Sequence, residues 1–231
     1  MFAIASFPNF VATPQPILDA FELAVAALSE ASATVVDLDA VGVNLFANGA
    51  GSGELSVLLY DFKNDVAAYF ATRIGVPVAG GTLQTAIDYN NADPDTEMPF
   101  FNQDIFDLAN SLTTTDPNGA QDPSLFGGTT YNQVLDLDQQ LGIDLDNSLT
   151  TYHLDAMVTA TDNPAWATDL LYGDHFLFGT SGLAAPQGYP IVQVPAAMPQ
   201  QCASPTKPNN CSQYGVPLGI SFFGTASAKA R

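Results

Sequence analysis

The chain has 231 residues, of which 47% are hydrophobic, so it can bury a sizeable core as one large domain or two small ones. Five basic residues against 24 acidic ones give a formal net charge of −19, and so few cations disfavour nucleic acid or an anionic membrane surface as partners. The apolar stretches are well short of about 20 residues, so a soluble protein without a membrane span is expected. The apolar start, residues 1–10, lacks a basic n-region and predicts strand or loop rather than a signal peptide.

Helical periodicity is the main pattern of the first two thirds of the chain. Apolar residues recur at helical spacing in these segments: 17–28, 54–74, 83–90, 102–111, 124–141 and, more weakly, 146–152. Thr82 is a candidate N-cap of the third helix. The polar segment 91–99 is predicted to be a loop.

Short β-branched or apolar runs predict the strands, at residues 34–38, 154–160, 191–196 and 216–223. The last three runs are bounded by Gly, Pro and Asp, which is typical of buried strands. Together the elements predict an α/β fold, in which helices flank a largely buried mixed β-sheet. Since neither a linker nor a repeat is visible, residues 1–231 are predicted to form one domain or part of one.

No serine of the chain has the pattern of a complete hydrolase motif. A nucleophile elbow needs glycine two residues on either side of the serine, but Ser181 and Ser221 each have it only on the N-terminal side. The glycine-rich segment 49–53 lacks the lysine of a phosphate-binding loop. We therefore expect no cofactor and interpret both serines as structural.

Metal binding is also disfavoured by the sequence. The two histidines, His153 and His175, are too few and too far apart for a histidine-based site. A calcium loop starting at Asp144 fails because Leu149 occupies the position that requires glycine. The acid pairs Asp136/Asp138 and Asp144/Asp146 are accordingly predicted to be solvated acids at helix ends, and no metal is expected.

The two cysteines, Cys202 and Cys211, lie in one polar loop rich in Pro and Asn. In an oxidising compartment a disulfide between them would stabilise the fold by roughly 2–3 kcal/mol, whereas in the cytosol both would remain thiols. The sequence leaves the compartment open, so both states of the pair stay open as well.

Five phrases between residues 14 and 224 resemble, in the same order, the C-terminal half of the amidase signature family. They are PQPILDAFELAVAALSEASATVVDLD, LLYDFKNDVAAYFATR, TLQTAIDYNNADPDTEMPFFNQDIFDLA, LDAMVTATDNPAWATDLLYGDHFLFGTSGLAAPQGYPIVQVPAAMP and YGVPLGISFFG. The most specific parts are NPAW, ending at Trp166, and GDH, ending at His175. The resemblance implies a partial amidase-signature fold, truncated at both ends.

The resemblance also implies an ancestral reaction, the hydrolysis of a carboxylic amide through a serine acyl-enzyme. In the family a lysine and two serines form the triad within a Gly/Ser-rich stretch of the N-terminal half, which has no counterpart here. Lys63 falls instead in a helix phrase, so no catalytic residue is carried over and the chain alone is expected to be inactive. A non-catalytic binding module and one half of a split amidase are the alternatives.

Some residues of the acyl side of the substrate channel are implied by the same resemblance. The candidates are Trp166, Asp174, His175, Phe176, Gly179, Thr180 and Ser181. The competing interpretation makes Trp166 and Phe176 core residues, with Asp174 and His175 fixing a turn. The expected partners are a small amide substrate in the complete family fold, a missing N-terminal half, or a second copy of the chain.

Overall fold

The computed structural model describes residues 2–4, 15–45, 51–121, 129–171, 173–176, 179–197, 200–201, 211–212 and 216–225. Contacts group the chain into two compact units. Unit 1 comprises Met1–Gly51, Gln139–Asp169 and Asp174–Arg231, and unit 2 comprises Ser52–Asp138 and Leu170–Gly173. That the chain forms a single domain stays a prediction.

Unit 1 is built on a mixed β-sheet. Its strands are β1 (Phe2–Ile4), β2 (Val35–Asp37), β3 (Ala156–Ala160), β4 (Ile191–Ala197), β5 (Gln200–Gln201), β6 (Cys211–Ser212) and β7 (Leu218–Phe223). Five strands form one sheet in the order β2-β1-β3-β7-β4, while β5 pairs with β6. Strand β1 runs parallel to both of its neighbours, and β7 runs antiparallel to β3 and β4. This confirms the predicted α/β class.

Helices cover both faces of strands β3 and β7. Because successive strand residues point to opposite faces, Val158 and Ile220 pack with helix α1 (Gln15–Glu30), while Met157 and Phe223 pack on the other side. The first cluster comprises Ile17, Ala20, Phe21, Val158, Ala160, Leu218 and Ile220. The second comprises Leu38, Leu45, Leu141, Leu145, Leu149, Met157, Leu183, Ala184 and Phe223. The predicted burial of β3 and β7 is thereby confirmed.

Strand β4 corrects the prediction of a third buried strand. It is the last strand in the sheet order, and its large apolar side chains are exposed, with Val192 at 62% and Ile191 at 42%. An apolar run bounded by turn residues does not distinguish an edge strand from a central one, because the run does not show whether the strand has a neighbour on one side or on both.

The alternation of inward- and outward-facing backbone groups along β4 explains why Pro195 is tolerated there. The N–H of Thr161 donates to the carbonyl of Gly219 at 3.0 Å, so the backbone polar groups of Gly219 face β3. Pro195 is paired with Gly219 across the β4–β7 ladder and therefore directs its nitrogen away from β7. Proline lacks an N–H, and at this outward-facing position no ladder bond is lost.

Unit 2 is helical. It contains α2 (Glu54–Ala71), α3 (Leu83–Ala92), α4 (Pro94–Glu97) and α5 (Asp104–Asn110), and the first residues of α6 (Tyr131–Thr151) belong to it as well. The core consists of Leu59, Tyr60, Leu83, Ile87, Ala109, Leu112 and Val134. A capping box starts α3, in which the N–H of Thr82 donates to the hydroxyl of Thr85 at 3.0 Å. The predicted N-cap is confirmed.

Two predicted boundaries are wrong. Segment 91–99 is not a loop, because α3 extends to Ala92 and Pro94 starts α4 at a position where its missing N–H would be unpaired anyway. Helix α6 is continuous from Tyr131 to Thr151 where two helices were expected; part of the predicted helix, residues 124–128, lies outside the described residues. At Gly142 the Gln187 side chain lies close to the backbone of α6, since a Cβ at this position would be 2.5 Å from Gln187 Oε1.

Asp138 is buried rather than solvated, contrary to the prediction for the paired acids. Its side chain is only 3% exposed, and one carboxylate oxygen accepts the N–H of Gly53, the residue before α2, at 3.0 Å. A carboxylate there also faces the positive end of the α2 dipole. Burial raises the pKa of Asp138, and the Gly53 N–H offsets part of that rise.

Replacing Gly53 with alanine is expected to destabilise the protein by about 1–3 kcal/mol. A Cβ at this position would lie 2.3 Å from the backbone carbonyl of Val134, and backbone cannot move aside as a flexible side chain can. Urea unfolding of Gly53→Ala measures the loss, with Ser52→Ala as the neighbouring control. Equal midpoints for Gly53→Ala and the wild type would contradict the close approach.

Asp138→Asn is expected to be more stable than the wild type at pH 7, by a margin that shrinks towards pH 3. The folded-state pKa of Asp138 is raised above the unfolded value, so the wild type loses stability as the pH rises through that window. Asparagine still accepts the Gly53 N–H without carrying a buried charge. Urea unfolding between pH 3 and 7 tests this. A difference that is constant over this range would exclude a role for the charge.

Candidate functional site

The predicted site residues lie on the long connection between β3 and β4. After β3, Asp162 forms an antiparallel bridge with Gly179, so the two ends of segment 162–179 meet. Thr180 follows directly, and its N–H donates to the carbonyl of Thr161 at 3.0 Å. The connection is therefore a loop closed at its base, the usual form of a functional surface loop.

Buried hydroxyl groups fix this base. The Thr180 hydroxyl lies 2.8 Å from the carbonyl of Ala160 and 3.0 Å from that of Thr161. The hydroxyls of Thr161 and Ser221 lie 2.8 Å apart, and Ser221 is completely buried. Since buried hydroxyls need partners, these contacts give Thr180 and Ser221 a structural role, as expected for Ser221.

An aromatic pair occupies the loop above this base. The rings of Trp166 and Phe176 have centroids 6.4 Å apart and are tilted by 59°, a favourable aromatic geometry. The indole N–H of Trp166 donates to Asp174 Oδ1 at 2.6 Å, which fixes the ring plane. The NPAW and GDH phrases thus meet through one hydrogen bond.

Phe176 is not a core residue, because its side chain is 59% exposed. Its ring lies against Gly179, where an added Cβ would be 3.1 Å from Phe176 Cε2. The competing core interpretation is therefore wrong for Phe176. Trp166 is half-buried, and glycine at position 179 gives the phenyl ring its room on the surface.

The remaining candidates lie around this pair. His175 Nε2 is 3.9 Å from Asp169 Oδ2, with side chains 45% and 40% exposed; this contact is ionic only when His175 is protonated, and at such exposure it contributes little. Ser181 is exposed and starts a single 3₁₀ turn, Ser181–Leu183. The structure thus brings together Trp166, Asp174, Phe176 and Gly179, with His175, Thr180 and Ser181 as their chain neighbours.

Asp162 and Asn163 were not among the predicted site residues. Asn163 is buried, and its side-chain amide donates to the carbonyls of Pro164 and His175 at 3.2 and 3.5 Å. Burial raises the pKa of Asp162, partly offset by the N–H of Asn163 at 2.7 Å. The sequence could have indicated them by their position directly after a buried strand, where polar residues often hold the start of a loop.

Other sequence predictions concern residues beyond this loop. Cys202 lies outside the described residues, so its bond to Cys211 stays a prediction. Among the residues that the structure describes, no group of three or more His, Cys, Asp or Glu side chains is placed to hold a metal ion. None of the described helices combines the length and hydrophobicity needed to cross a membrane.

Comparison with known proteins gives matches among solved structures, although no family model and no curated protein matches the sequence. The crystal structure of PAM12A superposes with a TM-score of 0.73 at 27% identity, over 98% of this chain and 40% of that one. The peptide amidase PAM in complex with the competitive inhibitor chymostatin gives 0.69 and 25%, over 99% and 40%. The native peptide amidase from Stenotrophomonas maltophilia gives 0.68 and 25%, over 98% and 39%.

The chain has a partial amidase-signature fold. This confirms the family resemblance of the five sequence phrases, because the likeness extends over nearly the whole chain. The chain spans about two fifths of the length of the peptide amidases that it matches.

The Asp174→Ala variant is expected to loosen the aromatic pair, since the indole N–H of Trp166 would lose its acceptor. Trp166 is the single tryptophan of the chain, so its fluorescence reports on this loop alone. We expect red-shifted emission and stronger acrylamide quenching. Asp174→Asn retains an acceptor and serves as the matched control; identical spectra for the two variants would contradict the bond.

Proposed function

We propose that this chain supplies part of the substrate-channel wall of an amide hydrolase and does not hydrolyse amides without further residues. The observation that carries the proposal is its structural likeness to peptide amidases, which is spread over this whole chain but reaches only about 40% of theirs. The rings of Trp166 and Phe176 would line the acyl side of the channel, with Asp174 holding the indole of Trp166.

The contacts of Lys63 support the absence of a triad in the part of the chain that the structure describes. Its ammonium donates to the carbonyls of Asn110 and Leu112 at 2.9 and 2.6 Å, and thereby satisfies carbonyls at the end of α5. Burial lowers the pKa of Lys63, but a base also needs a nucleophile within hydrogen-bond reach. These two contacts support a structural role for Lys63.

Two of the described serines of unit 1 support the same conclusion. Ser221 bonds to the hydroxyl of Thr161, a group too weakly basic to remove its proton. Ser181 begins a 3₁₀ turn, and its carbonyl accepts the N–H groups of Ala184 and Ala185 at 2.9 and 2.8 Å. Neither arrangement matches the base-assisted serine that an acyl-enzyme mechanism requires.

A non-catalytic binding module is the second candidate function. It is favoured by one observation, the exposed ring of Phe176 beside the half-buried ring of Trp166, which is oriented by Asp174. Ordered aromatic surface of this kind binds ligands at low entropic cost, because the rings lose little freedom. In a split amidase, which is the third candidate, another chain would supply the triad. The same wall would then form part of an active site.

The purified chain is expected to release no ammonia or amine from peptide amides above the buffer background, because neither Ser181 nor Ser221 is activated by a neighbouring base. Coupled ammonia detection measures this, with the Stenotrophomonas maltophilia peptide amidase as the positive control. Turnover that disappears in Ser181→Ala or Ser221→Ala would overturn the proposal. Turnover unchanged by both substitutions would point to a contaminating enzyme.

A binding experiment tests whether the aromatic pair forms a ligand-binding wall. Titrating the chain with chymostatin, the inhibitor bound in one of the matching structures, is followed by Trp166 fluorescence. Saturable quenching without turnover that is lost in Phe176→Ala supports the binding wall. If Phe176→Ala binds as well as the wild type, the aromatic pair is not the wall.

A further inference from the structure

A polar groove of about 340 Å³ opens in unit 1. The residues that form it are not among those that the family resemblance places in the substrate channel. It is lined by Val43, Asn44, Gln140, Asp144, Asn147, Ser148, Thr151 and Tyr152. Its volume falls at the lower end of the range for small-molecule sites. None of the loop residues from Asp162 to Ser181 lines it, so it is a separate surface feature.

One wall of the groove is a polar stripe along α6. The lining residues of this helix are spaced by one or two turns, which places them on one face. Residues of the neighbouring face, Leu141, Leu145 and Leu149, are buried in the core of unit 1. Because the core fixes the rotation of α6, it also fixes the stripe that faces the groove.

The facing wall is the turn after β2, which is held by its own hydrogen bonds. The carboxylate of Asp37 accepts the N–H groups of Asp39 and Ala40 at 3.0 and 3.2 Å. The N–H of Val43 donates to the carbonyl of Leu38 at 2.9 Å, and Gly42 has a φ of 79°. This turn places Val43 and Asn44 beside the helix without a ligand, so little ordering would be needed on binding.

Polar atoms on the helix side are already oriented. Ser148 is 4% exposed, and its hydroxyl donates to the carbonyl of Asp144 at 2.7 Å, which leaves the serine oxygen as an acceptor. The side-chain amide of Gln140 donates to Asp144 Oδ1 at 2.9 Å and holds that carboxylate in place. The groove therefore offers ordered acceptors beside the amides of Asn44 and Asn147.

The composition of the lining selects the class of ligand. It has three amides, three hydroxyls, one carboxylate and the partly buried ring of Tyr152, and these described lining residues include no Lys, Arg or His. Without a cation among these residues, and in a chain of charge −19, phosphates and carboxylates are disfavoured as ligands. A single carboxylate is too little for Ca²⁺, which takes six to eight oxygen ligands. Amides and hydroxyls that both donate and accept suit a neutral polyhydroxylated molecule.

We propose that this groove binds a neutral sugar of one or two rings. Asp144 and Asn147 accept and donate hydrogen bonds to adjacent sugar hydroxyls, and Tyr152 offers apolar surface to the C–H face of the ring. A ligand with about twelve non-hydrogen atoms in an open polar groove is expected to bind with about millimolar affinity. This site is independent of amide hydrolysis.

The test is a titration of the ¹⁵N-labelled chain with D-glucose and maltose, followed by NMR. Saturable shifts are expected at Val43, Asn44 and along residues 140–152. Asn147→Ala, at an exposed position where folding is insensitive, is expected to weaken binding about fivefold, the size of one hydrogen bond. Gln139→Ala, exposed on the same helix outside the groove, is the matched control.

Three outcomes would overturn the proposal. They are shifts that do not saturate with either sugar, shifts confined to residues outside the groove, and equal affinities for Asn147→Ala and Gln139→Ala. Glucose 6-phosphate provides a further check, because its charge should weaken binding where no cation faces it. Binding of the phosphate that is tighter than that of glucose would also refute the neutral-ligand assignment.

Discussion

The antiparallel pairing of β3 with β7 is the constraint on which unit 1 depends. Both strands are covered on both faces, so their side chains must alternate between two separate clusters, with Val158 and Ile220 on one side and Met157 and Phe223 on the other. A slip of one residue would send every side chain to the wrong cluster. The register is thus strongly fixed, and it sets where the chain leaves the sheet at Thr161.

This register also fixes the candidate site. On one face of the pair the side chains change from Met157 and Phe223 to Thr161 and Ser221 towards the end of β3. Thr180 then bonds to carbonyls at the same end. The loop with Trp166 and Phe176 therefore starts and finishes on a buried base, while the Trp166 ring above that base is oriented by its hydrogen bond to Asp174.

Much of this could be predicted from the sequence, because the strongest signals are local. Helical spacing identified α1 and α2, and the NPAW and GDH phrases indicated residues that the structure joins through Trp166 and Asp174. What failed depends on distant residues. The burial of Asp138 is decided by Gly53, 85 positions away, and the exposure of β4 by the order of strands in the sheet. Neither the burial of Asp138 nor the exposure of β4 can be inferred from a short window of sequence.

The outward position of Pro195 has a consequence for how the sheet can grow. An uncharged, β-branched edge such as Ile191–Ala197 would ordinarily serve as a template for adding strands without limit. Here the proline presents no N–H to an incoming chain, and the register shift between Pro195 and Ala197 bends the ladder. Along β4, the outward-facing backbone around Ile191 and Gln193 is all that can pair with a further strand before the proline, so this edge is a poor template for amyloid-like extension.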